Sequence, residues 1–109
     1  MLEFPRICRS LSDLLALRSS LRQQETVLAD ALRDVQAELR FWREDRARRD
    51  ALGRQTPREL VRIREDLAER ERGLVLDLLQ VRHSLSEVNG EVRNLLARRD
   101  AGGRGATAG

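Results

Sequence analysis

Few side chains in this sequence have the chemistry that an enzyme or a metal site requires. His83 is the single histidine and Cys8 the single cysteine of 109 residues. A nucleophilic cysteine needs a base beside it, and a zinc site needs several histidine or cysteine ligands at short spacing. The sequence has neither pattern, so we predict no enzymatic activity, no cofactor and no metal. We interpret Cys8 as a small packing residue and His83 as a solvent-facing helix residue.

Arginine is the residue that could instead bind a partner. All 21 basic residues are arginine, so a Schiff-base lysine and a P-loop lysine are both excluded. Residues 40–64 hold nine arginines and four acids, a net charge of +5, whereas the whole chain carries +3. Guanidinium groups bind phosphate or carboxylate with two hydrogen bonds. The segment predicts either a basic site for nucleic acid, an anionic membrane or an acidic protein, or a solvated end with local ion pairs. Its principal arginines are Arg43, Arg46, Arg48, Arg49, Arg54 and Arg58.

The composition as a whole indicates long helices. Aromatic residues make up 3% of the chain and charged residues 36%, which is typical of helices covered in ion pairs. Acid-then-base pairs four residues apart each stabilise a helix slightly. The sequence offers such pairs at Glu44–Arg48, Asp45–Arg49 and Asp66–Arg70.

The compartment is predicted from the same composition. No apolar run approaches the ~20 residues that span a bilayer. Residues 7–17 are interrupted by Arg9 and Asp13, which argues against a secretory signal. A single cysteine forms no internal disulfide, so we predict an intracellular location, cytoplasmic or nuclear.

Apolar residues recur every 3.5 residues on both sides of a short break. One row runs from Ile7 to Trp42 and the other from Leu60 to Leu95, each in ten steps over 35 residues. This period keeps one stripe of each helix against a partner. Gln24 and Arg70 are the polar members of the rows, and Ile63 is an apolar member of the second row. We predict an all-α fold, a long antiparallel two-helix coiled-coil hairpin that is part of a larger helical bundle. The principal seam residues are Leu14, Leu21, Leu28, Val35, Trp42, Leu60, Leu67, Val81 and Val88.

The break itself reads GRQTPREL, residues 53–60, and predicts a turn between the helices. Gly53 can adopt the left-handed conformation that ends a helix. Thr56 is a candidate N-cap, Pro57 suits the first helical position, and Glu59 would complete a capping box.

Folding at this turn brings the two rows into register. Positions whose numbers sum to about 102 become neighbours, so Leu14 meets Val88. The alternative is a straight parallel dimer in which the turn is only a break, and Pro57 disfavours it. The predicted segments are an N-terminal hook at 1–5, helix 1 at 6–52, a turn at 53–56, helix 2 at 57–100 and a disordered tail at 101–109.

Helix 2 has more apolar residues than one seam needs. Residues 74–81, LVLDLLQV, are apolar on more than one face, and such a helix usually has a second neighbour. We predict a scaffold subunit that assembles with itself or with other coiled-coil proteins in a multiprotein complex. The alternative is a helical arm whose main site is the arginine-rich tip. The predicted partner interface comprises Leu15, Val61, Leu74, Val75, Leu76, Leu78, Leu79 and Leu96.

Overall fold

Two long helices form the protein. The computed structural model describes residues 10–107, with side chains from 10 to 101. Helix α1 spans Leu11–Ala51 and helix α2 spans Arg58–Thr107, and residues 10–107 contain no strand. The helices pair as a hairpin, which confirms the predicted all-α fold. The predicted hook at 1–5, together with Ile7 and Cys8, lies outside the described residues.

Helix α1 begins where a serine caps it. The Ser10 hydroxyl oxygen accepts a hydrogen bond of 3.1 Å from the backbone N–H of Asp13. The Ser10 carbonyl accepts a second one, of 3.0 Å, from the N–H of Leu14. Asp13 also places a negative charge in the first turn, where the helix dipole favours it. This cap sets the start of α1 at Leu11, and residues 6–9 of the predicted helix 1 lie outside the described residues.

Helix α1 ends in a Schellman motif at Gly53. This glycine has a φ of 69°. Its N–H donates to the carbonyl of Asp50 over 3.1 Å, and the N–H of Arg54 donates to the carbonyl of Arg49 over 2.9 Å. The two bonds satisfy carbonyls that have no partner inside the helix. The prediction that Gly53 ends the first helix is confirmed.

Helix α2 begins without the predicted capping box. The Pro57 carbonyl accepts hydrogen bonds from the N–H groups of Leu60 and Val61, at 3.0 and 3.2 Å. Neither the Thr56 hydroxyl nor the Glu59 carboxylate makes a hydrogen bond among the described residues. The first turn therefore closes on the backbone of Pro57, which has no N–H to satisfy. At its other end α2 overlaps the predicted tail as far as Thr107.

The hairpin divides into two compact units. Of the described residues, the open-end unit contains 10–24 and 81–107, and the turn-end unit contains 25–80. In the open-end unit, Leu14, Val88 and Val92 form a buried cluster. Because Leu14 and Val88 are partners in the register that the turn predicts, this cluster confirms antiparallel pairing. The residues packed against it are Leu11, Leu17, Leu21 and Leu95.

In the turn-end unit the inner row of α2 differs from the predicted one. Ile63 is 43% exposed and Arg70 is also exposed, whereas Arg64 and Glu71 are half-buried. The inner positions of a heptad repeat alternate in steps of four and three residues. Counting in this way from Leu60 reaches residues 64 and 71 and continues into the buried row of the rest of α2. The prediction of Ile63 and Arg70 as seam positions is therefore wrong. On α1, Glu25 is likewise half-buried while Gln24 is exposed.

The remaining predicted seam residues of the turn-end unit are buried or half-buried. Val35 and Leu39 of α1 and Leu78 of α2 are buried. The half-buried members of the same rows are Leu28, Leu32, Trp42, Leu60, Leu67 and Leu74. The apolar stripe that joins α1 to α2 is thus already covered within this unit.

Candidate functional site

Three large apolar side chains of α2 are exposed next to one another in the turn-end unit. Leu76 is 66% exposed, Leu79 56% and Val75 37%. Residues three and four apart are neighbours on a helix surface, so these three side chains form one patch. We call Val75, Leu76 and Leu79 the α2 patch. Since Leu78 points inward with only 5% of its surface exposed, the patch lies outside the seam.

Val61 and Ala68 extend the α2 patch towards the turn. They precede Val75 by fourteen and seven residues on the same helix, and a spacing of seven returns to nearly the same face. Both are half-buried because their row flanks the seam. From Val61 to Leu79 the stripe is about 27 Å long at 1.5 Å per residue. That length suits contact with another helix of several turns.

The other predicted interface residues have different surroundings. Leu15 and Leu96 are exposed in the open-end unit. Leu74 is half-buried and Leu78 is buried. Both occupy inner positions of the heptad, so Leu78 in particular packs within the hairpin and offers almost no surface to a partner.

Some exposed apolar residues lie away from this stripe. Val27, Phe41 and Leu52 are each more than half exposed on α1 and at its end. The ring of Phe41 meets that of Trp42 edge-on, with 5.4 Å between centroids and 79° between planes. Sequence reasoning did not assign Phe41 or Leu52 to an interface, and the only signal for them is that neither occupies a seam position.

At the turn, two of the six predicted arginines are neutralised locally. Arg49 Nε lies 2.9 Å from Asp45 Oδ2, and Arg46 Nε lies 3.9 Å from Asp50 Oδ2. The first pair was predicted, whereas the predicted Glu44–Arg48 and Asp66–Arg70 pairs are not formed. The other four are exposed and make no ion pair with any described residue. These four, which we call the turn arginines, are Arg43, Arg48, Arg54 and Arg58.

The remaining polar groups of the described chain do not converge. His83 Nε2 lies 3.1 Å from Glu87 Oε1 on the exposed surface of α2. No three histidine, cysteine, aspartate or glutamate side chains among residues 10–101 are placed to hold a metal ion. Over the same part of the chain, neither helix has a segment long and apolar enough to cross a membrane.

Comparison of the chain with protein-family models, with curated proteins and with solved structures gives no match. The features that bear on function are therefore the two surfaces just described. One is the α2 patch with its extension to Val61, and the other is the set of turn arginines.

Proposed function

We propose that the protein is a non-enzymatic scaffold subunit that assembles with a further helix through the α2 patch. The observation that supports this most is the exposure of Val75, Leu76 and Leu79 beside a seam that α1 already covers. A surface helix has one apolar stripe for one neighbour. A second apolar stripe on α2 therefore suits a second neighbour.

The energies favour the α2 patch over surface charge as the basis of assembly. Burying a large apolar side chain contributes ~1.5–3 kcal/mol. An exposed ion pair contributes ~0–1 kcal/mol. Full burial of the three patch residues thus outweighs the exposed ion pairs that α1 and α2 make on their surfaces.

The hairpin also has a thin core. Leu14 is the one side chain among the described residues with less than 2% of its surface exposed. A further helix on the turn-end unit would cover apolar surface that two helices leave in water, and this would stabilise the hairpin as well as the complex. The added helix comes from a second copy of the chain or from another coiled-coil subunit.

The test is to replace apolar residues of the α2 patch with serine and to measure the mass of the assembly that the protein forms. The variant Val75→Ser/Leu79→Ser replaces two exposed apolar residues of the patch. A matched control, Val27→Ser/Leu52→Ser, makes the same two replacements at exposed positions away from it. Light scattering gives the mass of each purified protein, and capture from a cell extract gives the mass of any mixed complex.

We expect the unaltered chain and the control to form the same complex, and the patch variant to run as a hairpin of single-chain mass. Because 37% of Val75 and 56% of Leu79 remain to be buried, losing both contacts weakens association by about tenfold to a hundredfold. A well-ordered single-chain species for the unaltered protein, both alone and in extract, would exclude the scaffold function. Equal loss of assembly in both variants would exclude the patch as its site.

A further inference from the structure

Most of the positive charge at the turn is not neutralised within the hairpin. Of the nine arginines in residues 40–64, Arg46 and Arg49 have acidic partners. The acids left over, Glu44 and Glu59, make no ion pair among the described residues. The exposed groups of this segment that make no ion pair therefore carry a net charge of +4, from six arginines and two glutamates, and half-buried Arg64 supplies the fifth charge. The exposed arginines without an ion pair in the described chain are Arg40, Arg43, Arg48, Arg54, Arg58 and Arg62.

Helix stability does not account for this arrangement. Arg58 and Arg62 lie in the first two turns of α2, at the positive end of the helix dipole, where a cation is unfavourable. Arg58 and Arg62 are also spaced four residues apart on α2, and like charges at that spacing on a helix repel. Only Arg48 and Arg49, in the last turn of α1, are placed where the dipole favours them. A bound polyanion would offset the repulsion among the others.

We propose that the turn end binds the phosphate backbone of a nucleic-acid double helix, independently of base sequence. The exposed arginines of residues 40–64 begin at Arg40, eleven residues before the end of α1 at Ala51, so they extend about 17 Å along α1 at 1.5 Å per residue. A duplex presents one charge per ~1.7 Å of its axis. A duplex lying along this length presents about ten phosphate charges to it, whereas a flat membrane touched end-on contacts only the arginines at the turn.

The aromatic residues near the turn favour a duplex over a single strand. Proteins that bind single strands stack bases on exposed aromatic rings. Residues 40–64 contain two aromatic side chains, Phe41 and Trp42. Trp42 is half-buried in the seam, so Phe41 is the one exposed ring in this segment, and Trp42 already contacts it edge-on. A single exposed ring offers no series of stacking sites for successive bases. Arginine needs no base stacking to bind phosphate, because its planar guanidinium donates two parallel hydrogen bonds.

The experiment compares two charge-matched triple variants in their binding to a short labelled DNA duplex, by anisotropy over a range of salt. Arg43→Ser/Arg54→Ser/Arg58→Ser removes three turn arginines. Arg93→Ser/Arg98→Ser/Arg99→Ser removes three exposed arginines near the end of α2. Circular dichroism of each variant is the check that its helices are retained. An RNA duplex, a single strand and vesicles with anionic lipid are the further probes.

Each phosphate contact contributes ~0.9 to the slope of log affinity against log salt. The turn variant should therefore reduce that slope by about 2.7 and weaken binding by on the order of a hundredfold near 0.1 M salt. The control should stay within about threefold of the unaltered protein, since its arginines touch no phosphate. The variant Arg43→Lys/Arg54→Lys/Arg58→Lys keeps the charges and should keep the slope.

Several results would overturn the proposal. Equal weakening by the two serine triples would mean that net charge alone is responsible. Tighter binding to the single strand, or binding to vesicles without binding to either duplex, would assign the turn to another partner. Absence of duplex binding at low salt would remove the site altogether. None of these outcomes bears on the α2 patch, because the serine and lysine variants leave Val75 and Leu79 in place.

Discussion

Among single residues, Gly53 has the conformation that no other residue type adopts without cost. Its φ of 69° lies in the left-handed region, and a Cβ built there would meet no atom within 4 Å. Any cost of a side chain at this position is therefore conformational and not steric. Gly73 is the natural comparison, because it lies inside α2 with equally open space around it.

Replacing each of these two glycines with alanine should change the free energy of unfolding in opposite directions. Gly53→Ala should lower the free energy of unfolding by ~1–2 kcal/mol, the cost of a left-handed L-residue. Gly73→Ala should raise it by ~0.5–1 kcal/mol, because alanine loses less backbone freedom in a helix. Urea unfolding followed by helical circular dichroism measures both. A stabilising Gly53→Ala would contradict the Schellman turn.

At the scale of the helix, Glu71 occupies an inner position of α2 although the sequence favoured the neighbouring Arg70. Glu71 is half-buried and Arg70 exposed. A carboxylate beside the seam loses part of its hydration without adding apolar contact. Glu71→Leu should therefore stabilise the hairpin by ~1 kcal/mol through added burial. Arg70→Leu is the matched control and should change stability by less than ~0.5 kcal/mol.

Thermal unfolding of the two leucine variants separates the two possible rows. If Arg70→Leu stabilises the protein more than Glu71→Leu does, the inner row of α2 passes through 63 and 70 and not through 64 and 71. The comparison should be made at low protein concentration, because either added leucine could promote self-association through an exposed edge.

The same region shows what the amino-acid sequence can and cannot predict about the helices. The turn and most of the seam follow from local chemistry, since Gly53, Pro57 and a 3.5-residue period each have a direct structural meaning. Local chemistry does not determine whether Ile63 or Arg64 is the inner residue. Hydrophobicity favours Ile63, whereas continuity of the heptad row requires Arg64. Where a few polar residues interrupt the apolar row, the sequence alone fits either set of inner positions, and only the position of the other helix decides between them.

The candidate surfaces were predictable to different degrees. Val75, Leu76 and Leu79 follow from the seam, because they are the apolar residues that it does not use. The ion pairs of the turn are harder to predict. Arg48 and Arg49 each have an acid four residues earlier, yet only Arg49 forms its pair. Such choices depend on side-chain rotamers, which spacing does not determine.

For the whole molecule, the hairpin and the straight parallel dimer are distinguished by the distance between a residue of α1 and a residue of α2 in the same chain. Ala16 and Glu87 are exposed residues of the open-end unit, on opposite helices. Spin labels on cysteines at these positions, with Cys8 replaced by serine, should lie within about 20 Å of each other, because packed helix axes are 8–10 Å apart. In an uninterrupted helix the same two labels of one chain would be about 100 Å apart.

Diluting the labelled chains with unlabelled ones removes distances between molecules and leaves those within one chain. A short distance that persists on dilution is the expected result for the hairpin. A short distance that disappears on dilution would show that α1 pairs with α2 of another chain, and the arrangement at the turn would then be a domain swap.

The segment between the helices, residues 54–57, makes no side-chain hydrogen bond to the rest of the described chain. The segment therefore connects the two helices covalently, but its side chains do not hold them together. Its contribution is to keep each helix at high effective concentration near the other. A protease cut after Arg54 would leave two separate peptides that still recognise each other through their leucine rows. Their association would then depend on dilution, as it does for any two-chain complex.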